Sequence, residues 1–476
     1  MAAANCYAGE TCAALIHGKQ MAPSRLEAWA RLCVTKFLGS HISTERLILE
    51  EEGGATFTFE GTGKKCSLEV VLKVHSPQFY WKVTTRADIG LADAYIDGEF
   101  SFAEKDQGLL NLIMVLIANR DANKSISKAN KKRGWWTPSL FTAGIASAKF
   151  FLQHVLRQNT LTQARRNISR HYDLVWDHSL LILWFNNVHA SNEVFSLFLG
   201  ETMAYSCAIF KTEDEDLNTA QLRKISALIE KARIDKKHEI LDIGCGWGTF
   251  AIEVVKQTGC KYTGLTLSVE QLKYAEMKVK EAGLQDNIRL LLCDYRELPK
   301  GYKYDRIVSC EMIEHVGHEY MEDFFSSCES ALAEDGLLVL QSTSIADERY
   351  DEYRRSSDFI KEYIFPGACV PSLSRITSAM GVASRLSVDH VENIGSHYYL
   401  TLRCWKKYFL ENKSKILAMG FDERFIRTWE YYFDYCAAGF KSCTLFNYQI
   451  VFSRPGNVGV LGNPYKGFPS AYRHLL

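Results

Sequence analysis

A short apolar segment that runs into a glycine-rich turn constrains this chain more than any other feature. Residues 240–243 read Ile-Leu-Asp-Ile, and residues 244–248 continue as Gly-Cys-Gly-Trp-Gly. An apolar strand that carries an acidic residue therefore runs into a turn that opens a helix. Glycines permit such a turn and let the backbone approach a ligand closely. The simpler alternative is a glycine turn that binds nothing.

Strands and helices alternate around this turn. Apolar runs predict strands at 239–243, 262–267, 288–293, 306–310 and 337–342, with helices at 250–257, 268–282 and about 320–333. The alternation predicts βαβ units and a parallel sheet, so the fold class is α/β. Such sheets bind ligands at the carboxyl ends of their strands. After residue 364 we expect two aromatic-rich helices and a last strand at 444–452.

The spacing of the glycines indicates the class of ligand. A dinucleotide site usually reads GxGxxG, with an acidic residue about 20 positions later. Here the spacing is GxGxG, the acidic residue precedes the first glycine, and the next strand ends at 264–268 without an acid. This pattern favours S-adenosylmethionine over NAD. Residues Ser268 to Gln271 also match a helix capping box, so Gln271 caps the helix, binds the cofactor, or does both.

The composition divides the chain into five segments. We expect a flexible leader at 1–24 without the apolar core of a signal peptide, and a smaller amino-terminal α+β domain at 25–120. Within that domain the patterns predict helices at 25–39 and 109–119 and strands at 55–60, 67–74 and 79–84. A basic linker follows at 121–170, then the larger domain at 171–456 and a tail at 457–476.

Charge argues against nucleic acid as the main partner, because 56 basic and 56 acidic residues balance over the whole chain. The charge is nevertheless uneven: residues 120–171 contain eleven Lys or Arg and one acid, and residues 131–136 read KKRGWW. A solvated linker helix is the simplest interpretation. A patch for an anionic membrane surface is the sharper one, because basic residues attract lipid headgroups and Trp favours the interface.

Two further absences limit the location of the chain. No apolar run reaches the ~20 residues that span a bilayer, so we expect a cytoplasmic protein that is soluble or peripherally attached to a membrane. The 14 cysteines have irregular spacings and no CxxC pair. These spacings indicate neither a metal site nor a disulfide framework, and they favour a reducing compartment.

Several motifs together give a resemblance to one family. Residues 241–248, 266–271 and 293–296 resemble class I S-adenosylmethionine-dependent methyltransferases, whose sheet is mostly parallel and seven-stranded. The motifs YSCA at 205–208, MIEHVG at 312–317, YIFPG at 363–367 and YQIVFSR at 448–454 resemble cyclopropane-fatty-acyl-phospholipid synthases. Residues 89–95 resemble the lipid-contacting first domain of the same enzymes. The sequences of these motifs are most similar to those of plant members, which commonly carry an additional amino-terminal flavin-oxidase-like domain that this sequence does not contain.

The resemblance implies a reaction and a set of site residues. A methyl group passes from S-adenosylmethionine to a cis double bond of a phospholipid acyl chain, and a bound bicarbonate takes a proton as the cyclopropane ring closes. The motifs imply that bicarbonate is held by Cys207, Glu314, Gln341, Thr343 and Tyr398, with Cys207 acting through its backbone. The implied cofactor residues are Tyr205, Ser206, Asp242, Gly244, Cys245, Gly246, Thr266, Leu267, Ser268, Gln271, Tyr295 and Arg296. Members of the family often form homodimers through the first domain.

Two departures from the family pattern affect these expectations. Gln341 and Thr343 stand where bacterial members carry His and Ile, and Gln cannot titrate near neutral pH. The family also runs directly from the residues here numbered 171–174 into 191–195, whereas this chain inserts residues 175–190, VWDHSLLILWFNNVHA. The insert either forms a tolerated loop or disrupts the cover over the cofactor.

Three functions therefore remain open from the sequence. The first is a lipid cyclopropane synthase. The second is a related methyltransferase that branches an acyl chain or methylates an amine. The third is an inactive lipid-binding protein whose cofactor site the insert has damaged.

Overall fold

The computed structural model describes residues 23–61, 68–122, 160–172, 188–460 and 468–470, and they form two units. The first contains α1 (Arg25–His41), β1 (Arg46–Glu51), β2 (Thr56–Glu60), β3 (Glu69–Val74), α2 (Gln78–Ile96), β4 (Phe100–Phe102) and α3 (Gly108–Ala122). Its four strands lie in the order β2-β1-β3-β4, with β1 and β3 parallel. The predicted leader (except residues 23 and 24), most of the basic linker and most of the tail lie outside the described residues.

The second unit is built around a seven-stranded sheet. Its strands are β5 (Glu239–Ile243), β6 (Lys261–Thr266), β7 (Ile288–Leu292), β8 (Tyr304–Cys310), β9 (Leu332–Ile345), β10 (Ser387–Asn393) and β11 (Leu445–Ser453). They lie in the order β10-β11-β9-β8-β5-β6-β7. Strands β5 to β9 are mutually parallel, and β11 is antiparallel to both of its neighbours. The mostly parallel seven-stranded Rossmann-like sheet is thus confirmed.

Helices cover the sheet and its carboxyl-terminal edge. They are α4 (Leu161–Tyr172), α5 (Val188–Leu199), α6 (Leu217–Lys231), α7 (Thr249–Thr258), α8 (Val269–Glu281), α9 (Met321–Ala331), α10 (Asp347–Tyr353), α11 (Leu373–Ala383), α12 (Gly395–Glu411), α13 (Lys413–Ala418) and α14 (Glu423–Lys441). One buried apolar cluster packs α9 and α11 against the sheet, and another packs α6, α7 and α8 against it. This two-sided core explains why the central strands read as continuous apolar runs.

One predicted strand of the first unit is wrong. Residues 79–84 contain aromatic and β-branched side chains that favour a strand, but they form the first turns of α2. The helix buries Phe79, Tyr80 and Val83, so packing decides the conformation rather than local preference. The sequence analysis also missed β1, β4 and β10.

The two units share one apolar core, because the aromatic-rich helices α12 and α14 extend it from the first unit to α5. The predicted aromatic positions on these helices are buried at Trp405, Phe409, Trp429 and Tyr432. Strand β11 follows them, close to the predicted last strand. Because α14 packs against both α2 and α3, the first unit closes over the carboxyl-terminal half of the chain.

The 16-residue insert falls mainly outside the described residues. Only its last three residues, 188–190, are described, and they form the start of α5. This helix continues through Phe195 and Phe198, which are fully buried in the shared core.

A buried ion pair fastens β10 to α6 and yields a stability prediction. The Lys231 side chain is completely buried, contacts the carboxylate of Glu392, and donates to Gln449 Oε1 at 2.5 Å. Replacing Lys231 by Met leaves that carboxylate buried without its cation, so we expect the free energy of unfolding to fall by ~3–5 kcal/mol in urea denaturation.

The control is Lys237→Met, because the Lys237 side chain is 78% exposed and its ammonium lies 3.8 Å from Asp235. We expect this exposed pair to contribute less than about 1 kcal/mol. Equal losses in the two variants would contradict the assignment.

Candidate active site

The carboxyl ends of β5, β6 and β8 surround a cavity of about 170 Å³. The parallel register brings the glycine turn after β5, the end of β6 and the residues after β8 to the same edge of the sheet. All the predicted cofactor residues except Ser268 line this cavity, namely Tyr205, Ser206, Asp242, Gly244, Cys245, Gly246, Thr266, Leu267, Gln271, Tyr295 and Arg296.

The glycine turn is shaped for close approach by a ligand. The N–H groups of Gly244 and Cys245 donate to the Leu265 carbonyl at 3.0 and 2.9 Å, which fixes the turn against β6. Gly246 has φ of +55°, and a Cβ added to it would meet no atom within 4 Å. The backbone therefore faces open space at the position where the cavity needs a ligand.

Asp242 supplies a polar anchor in the same cavity. Tyr262 donates its hydroxyl hydrogen to Oδ2 of Asp242, whereas the buried Oδ1 has no hydrogen-bond partner among the described residues. Burial raises the pKa of Asp242 to about 7. An unpartnered buried oxygen is costly, and an amino or hydroxyl donor of a ligand would satisfy it. S-adenosylmethionine carries both kinds of donor, so the residues present fit it.

The structure separates the roles of Ser268 and Gln271. Ser268 immediately precedes α8 and its hydroxyl accepts from the Gln271 N–H at 3.2 Å, so Ser268 caps the helix instead of lining the cavity. The Gln271 side chain does not close the capping box; its Oε1 accepts from the Thr266 hydroxyl at 3.0 Å and it lines the cavity.

The side chain of Arg296 is fixed by a carboxylate of its own loop. Its Nε and Nη2 donate to the Asp294 carboxylate, each at 2.8 Å, and Asp294 also accepts from the Arg296 N–H at 3.0 Å. Tyr295 is buried beside this pair. The motif at 293–296 therefore forms a rigid wall of the cavity.

A second cavity of about 470 Å³ adjoins the first. Its walls come from both units: Leu91 and Ile113 lie on α2 and α3, whereas Leu402 and Phe440 lie on α12 and α14. Tyrosines line much of the remainder, at positions 205, 353, 398, 431, 432 and 435. Three residues, Tyr205, Glu311 and His315, line both cavities, so the two cavities meet there.

Three of the groups expected to hold bicarbonate instead hold Glu311, which the sequence analysis missed. Its Oε1 accepts from the Cys207 N–H at 2.9 Å and from Gln341 Nε2 at 2.8 Å. Its Oε2 accepts from the Tyr398 hydroxyl at 2.6 Å. A fourth donor, also missed, is Asn447 Nδ2, which lies 2.7 Å from Oε1.

Glu314 and Thr343 are brought together but not around an anion. The Thr343 N–H donates to Oε1 of Glu314, whereas the buried Oε2 of Glu314 has no partner among the described residues. Burial, and after it the negative charge of Glu311, raises the pKa of Glu314. Both residues line the second cavity.

The expected bicarbonate site therefore does not fit this structure. The donors of Cys207, Gln341 and Tyr398 are engaged by a carboxylate of the chain itself. A second anion beside it would face Glu311 and Glu314 rather than free donors, and like charges at close range repel. The backbone N–H of Cys207, and not its thiol, makes the contact with Glu311, and burial raises the pKa of the thiol well above the ordinary value.

One sequence signal could have indicated Glu311. It is the first residue after β8, and polar side chains at that edge of a parallel sheet face the ligand. Asn447 gave no such signal, because only the pairing of β11 with β9 places it opposite Thr343.

Comparison with known proteins now adds to this geometry. The model of the mycolic acid cyclopropane synthetase family matches residues 159–450. The chain belongs to this family. Membership makes it an S-adenosylmethionine-dependent methyltransferase, in agreement with the first cavity.

Relatives of this chain differ in the reactions that their names state. A tuberculostearic acid methyltransferase of Mycobacterium tuberculosis is 32% identical over 77% of this chain and 79% of its own length. The cyclopropane-fatty-acyl-phospholipid synthase of Escherichia coli is 30% identical over 80% and 87%. A sphingolipid C9-methyltransferase of Candida albicans is 31% identical over 66% and 60%.

Solved structures agree on the fold. The cyclopropane synthase MmaA2 from Mycobacterium tuberculosis has a TM-score of 0.53 at 27% identity, covering 61% of this chain and 98% of that one. Coclaurine N-methyltransferase has a TM-score of 0.54 at 20% identity, covering 77% and 99%, and shows the fold alone.

The open space at Gly246 gives a direct test of the cofactor site. We expect Gly246→Ala to lower the affinity for S-adenosylhomocysteine at least about tenfold in calorimetry, because its new methyl group enters space that the ligand needs. The matched control is Gly283→Ala, since Gly283 has φ of +69° and equally open surroundings but lies before β7, outside the cavity.

Both substitutions place an alanine at positive φ and should cost similar stability, about 1–2 kcal/mol. Equal losses of ligand affinity in the two variants would show that Gly246 does not face the cofactor.

Proposed function

We propose that this protein transfers a methylene group from S-adenosylmethionine to a cis double bond of a phospholipid-bound acyl chain, forming a cyclopropane fatty acid. The observation that carries the proposal is the second cavity, which is large, lined mainly by apolar and aromatic side chains, and shares Tyr205, Glu311 and His315 with the cofactor cavity. An acyl chain is the class of acceptor that such a wall favours. The lipid substrates in the names of the relatives support the same class.

The residues of the chain supply what an alkene acceptor requires. S-adenosylmethionine, when bound, supplies an activated methyl group on a sulfonium. An alkene is a weak nucleophile, so the walls must hold the double bond against that methyl group. Methyl transfer leaves a positive charge on the acyl chain, and the tyrosines at 205, 398 and 432, which line this cavity, can stabilise it by cation–π attraction.

The chain also limits water and competing charge at the junction. The first unit covers the cavity with α2 and α3, which keeps water from quenching a cation. Burial lowers the pKa of His315 to about 4, so its ring is neutral at physiological pH and does not repel the cation.

Methyl branching of an acyl chain is the second candidate. It shares the methyl transfer and differs in the fate of the cation. It is favoured by a relative named for tuberculostearic acid that is 32% identical, against 30% for the cyclopropane synthase of Escherichia coli.

Contact with a membrane surface follows from a phospholipid acceptor. Among the described residues, no helix combines the length and apolar character that crossing a bilayer requires. The exposed face of α1 carries Leu26, Trp29 and Leu32, which are 63%, 51% and 63% exposed. We therefore propose peripheral attachment at an anionic membrane through this face and the basic segment; a homodimer through the first unit is the alternative use of the same face.

The reaction is tested by expression in a bacterium that lacks its own cyclopropane synthase. We expect fatty acid methyl esters heavier by one CH2 that resist mild hydrogenation, because a ring contains no double bond. An equally heavier product that takes up hydrogen would indicate a methylene branch instead. No new fatty acid, from protein that binds S-adenosylhomocysteine, would contradict an acyl acceptor.

Two variants complete this experiment. We expect Glu314→Gln to retain the product, because burial already favours the neutral form of Glu314 and a glutamine oxygen still accepts from the Thr343 N–H. A variant without residues 175–187 keeps α5 intact and shows whether the insert impairs the enzyme. Product from that deletion alone would identify the insert as the lesion.

Attachment to membranes is tested at residues 131–133 of the basic linker, which lie outside the described residues. We expect replacement of Lys131, Lys132 and Arg133 by Gln to weaken sedimentation with anionic vesicles, at roughly 1 kcal/mol for each charge, and to leave cofactor affinity unchanged.

The control replaces Lys236, Lys237 and Lys300 by Gln. These residues are exposed and precede β5 and β8, at the amino-terminal edge of the sheet. Equal vesicle binding by the wild type, the variant at residues 131–133 and the control variant would exclude residues 131–133 as a membrane patch.

A further inference from the structure

The backbone of Glu311 is held in an unfavourable conformation. Its φ is +51°, a left-handed conformation that is unfavourable for a residue with a side chain. Its N–H donates to the Gln341 carbonyl at 2.8 Å, which continues the pairing of β8 with β9. With this backbone conformation at the end of β8, the Glu311 carboxylate lies where the two cavities meet.

The donors around the carboxylate are fixed by their own partners. Gln341 Oε1 accepts from Gln449 Nε2 at 2.8 Å, and Gln449 Oε1 accepts from Lys231 Nζ at 2.5 Å. This chain of bonds sets the orientation of the Gln341 amide, so its Nε2 must face Glu311. Tyr398 is buried on α12 and packs against Phe440, with ring centres 4.4 Å apart.

Neutral groups hold the carboxylate of Glu311 in the part of the chain that the structure describes. Among the described residues, no Lys, Arg or His forms an ion pair with Glu311, and its four donors are all neutral. Nearby Lys224 donates to the Ser206 hydroxyl at 2.7 Å instead. A carboxylate left without a counter-ion at the junction of two cavities is complementary to a cationic ligand or cationic reaction centre.

Glu314 does not compete for this role. Its Oε1 is engaged by the Thr343 N–H, and burial together with the charge of Glu311 favours its protonated form. It also lines only the acceptor cavity, whereas Glu311 lines both. Of the two carboxyl groups, Glu311 is therefore the one placed between the cofactor and the acceptor.

We propose that Glu311 is the built-in general base of the reaction and occupies the place where the family resemblance expects bicarbonate. This inference rests on the proposed transfer to an acyl double bond. The carbon–sulfur bond breaks as the alkene electron pair bonds the methyl carbon, leaving a cation on the adjacent acyl carbon. Glu311 then removes a proton from the new methyl group, and the released C–H electron pair closes the ring.

The balance of this step needs no further reactant. The products are the cyclopropane, S-adenosylhomocysteine and a protonated Glu311, whose proton passes to solvent after release. The donors Cys207, Gln341 and Asn447 act as positioning residues, because they hold the carboxylate and do not line the acceptor cavity, whereas Tyr398 holds it and also lines that cavity.

The test combines activity with a binding measurement. Purified enzyme acts on vesicles of an unsaturated phospholipid with S-adenosylmethionine, in buffer freed of carbon dioxide or supplied with bicarbonate. We expect equal rates for the wild type in both buffers. Glu311→Gln should lower kcat by about 10²–10⁴-fold, the usual contribution of a general base, with unchanged affinity for S-adenosylhomocysteine.

Glu311→Gly gives the discriminating result. It frees the four donors and removes the strain at positive φ, so it should bind bicarbonate and regain part of its activity when bicarbonate is added. The wild type should bind none in a ¹³C-bicarbonate NMR titration of its complex with S-adenosylhomocysteine. Glu334→Gln, at an exposed carboxylate far from the cavities, controls for loss of a charge.

The outcomes separate this inference from the proposed function. Bicarbonate binding to the wild type, or a wild-type rate that requires bicarbonate, would overturn the role of Glu311. Bicarbonate binding confined to Glu311→Gly supports that Glu311 holds the bicarbonate position even if no vesicle product forms, and that lack of product would count against the acyl acceptor alone.

Discussion

The carboxylate of Glu311 accepts hydrogen bonds from four groups that lie far apart in the sequence, and the second unit is arranged so that they meet. Cys207 precedes α6, Gln341 lies in β9, Tyr398 in α12 and Asn447 in β11. A carboxylate removed from bulk water is tolerated only when its hydrogen bonds are made. Here neutral donors make them, so no ion pair among the described residues neutralises the negative charge of the carboxylate. That charge is available to a cationic centre, which is what methyl transfer from a sulfonium to an alkene produces.

The two cavities give this charge its place in the reaction. The glycine turn after β5 and the unpartnered oxygen of Asp242 shape one cavity for the cofactor, and the apolar walls of the other suit an acyl chain. The first unit contributes to the site because α2 and α3 complete the walls of the second cavity. These two helices also pack with α14 in the apolar core that the two units share. Loosening that unit would admit water to the cation, so the stability of the joint core and the course of the reaction are coupled.

The parallel strands and the glycine turn could be predicted because buried strands and tight turns leave local signals in the sequence. The helix at residues 79–84 could not, since its aromatic side chains favour a strand locally and only packing in the shared core reverses that preference. The same limit applies to the site. A motif indicates Glu314 and the position after β8 indicates Glu311, but only the pairing of β8, β9 and β11 places Gln341 and Asn447 beside Glu311.

The most direct test of this account is a high-resolution crystal structure of the complex with S-adenosylhomocysteine, grown in the presence of bicarbonate. We expect the Glu311 carboxylate to accept from the Cys207 N–H and the Tyr398 hydroxyl with no anion between them. A Glu311 side chain turned away, with a planar anion bound by Cys207, Gln341 and Tyr398 in its place, would contradict it.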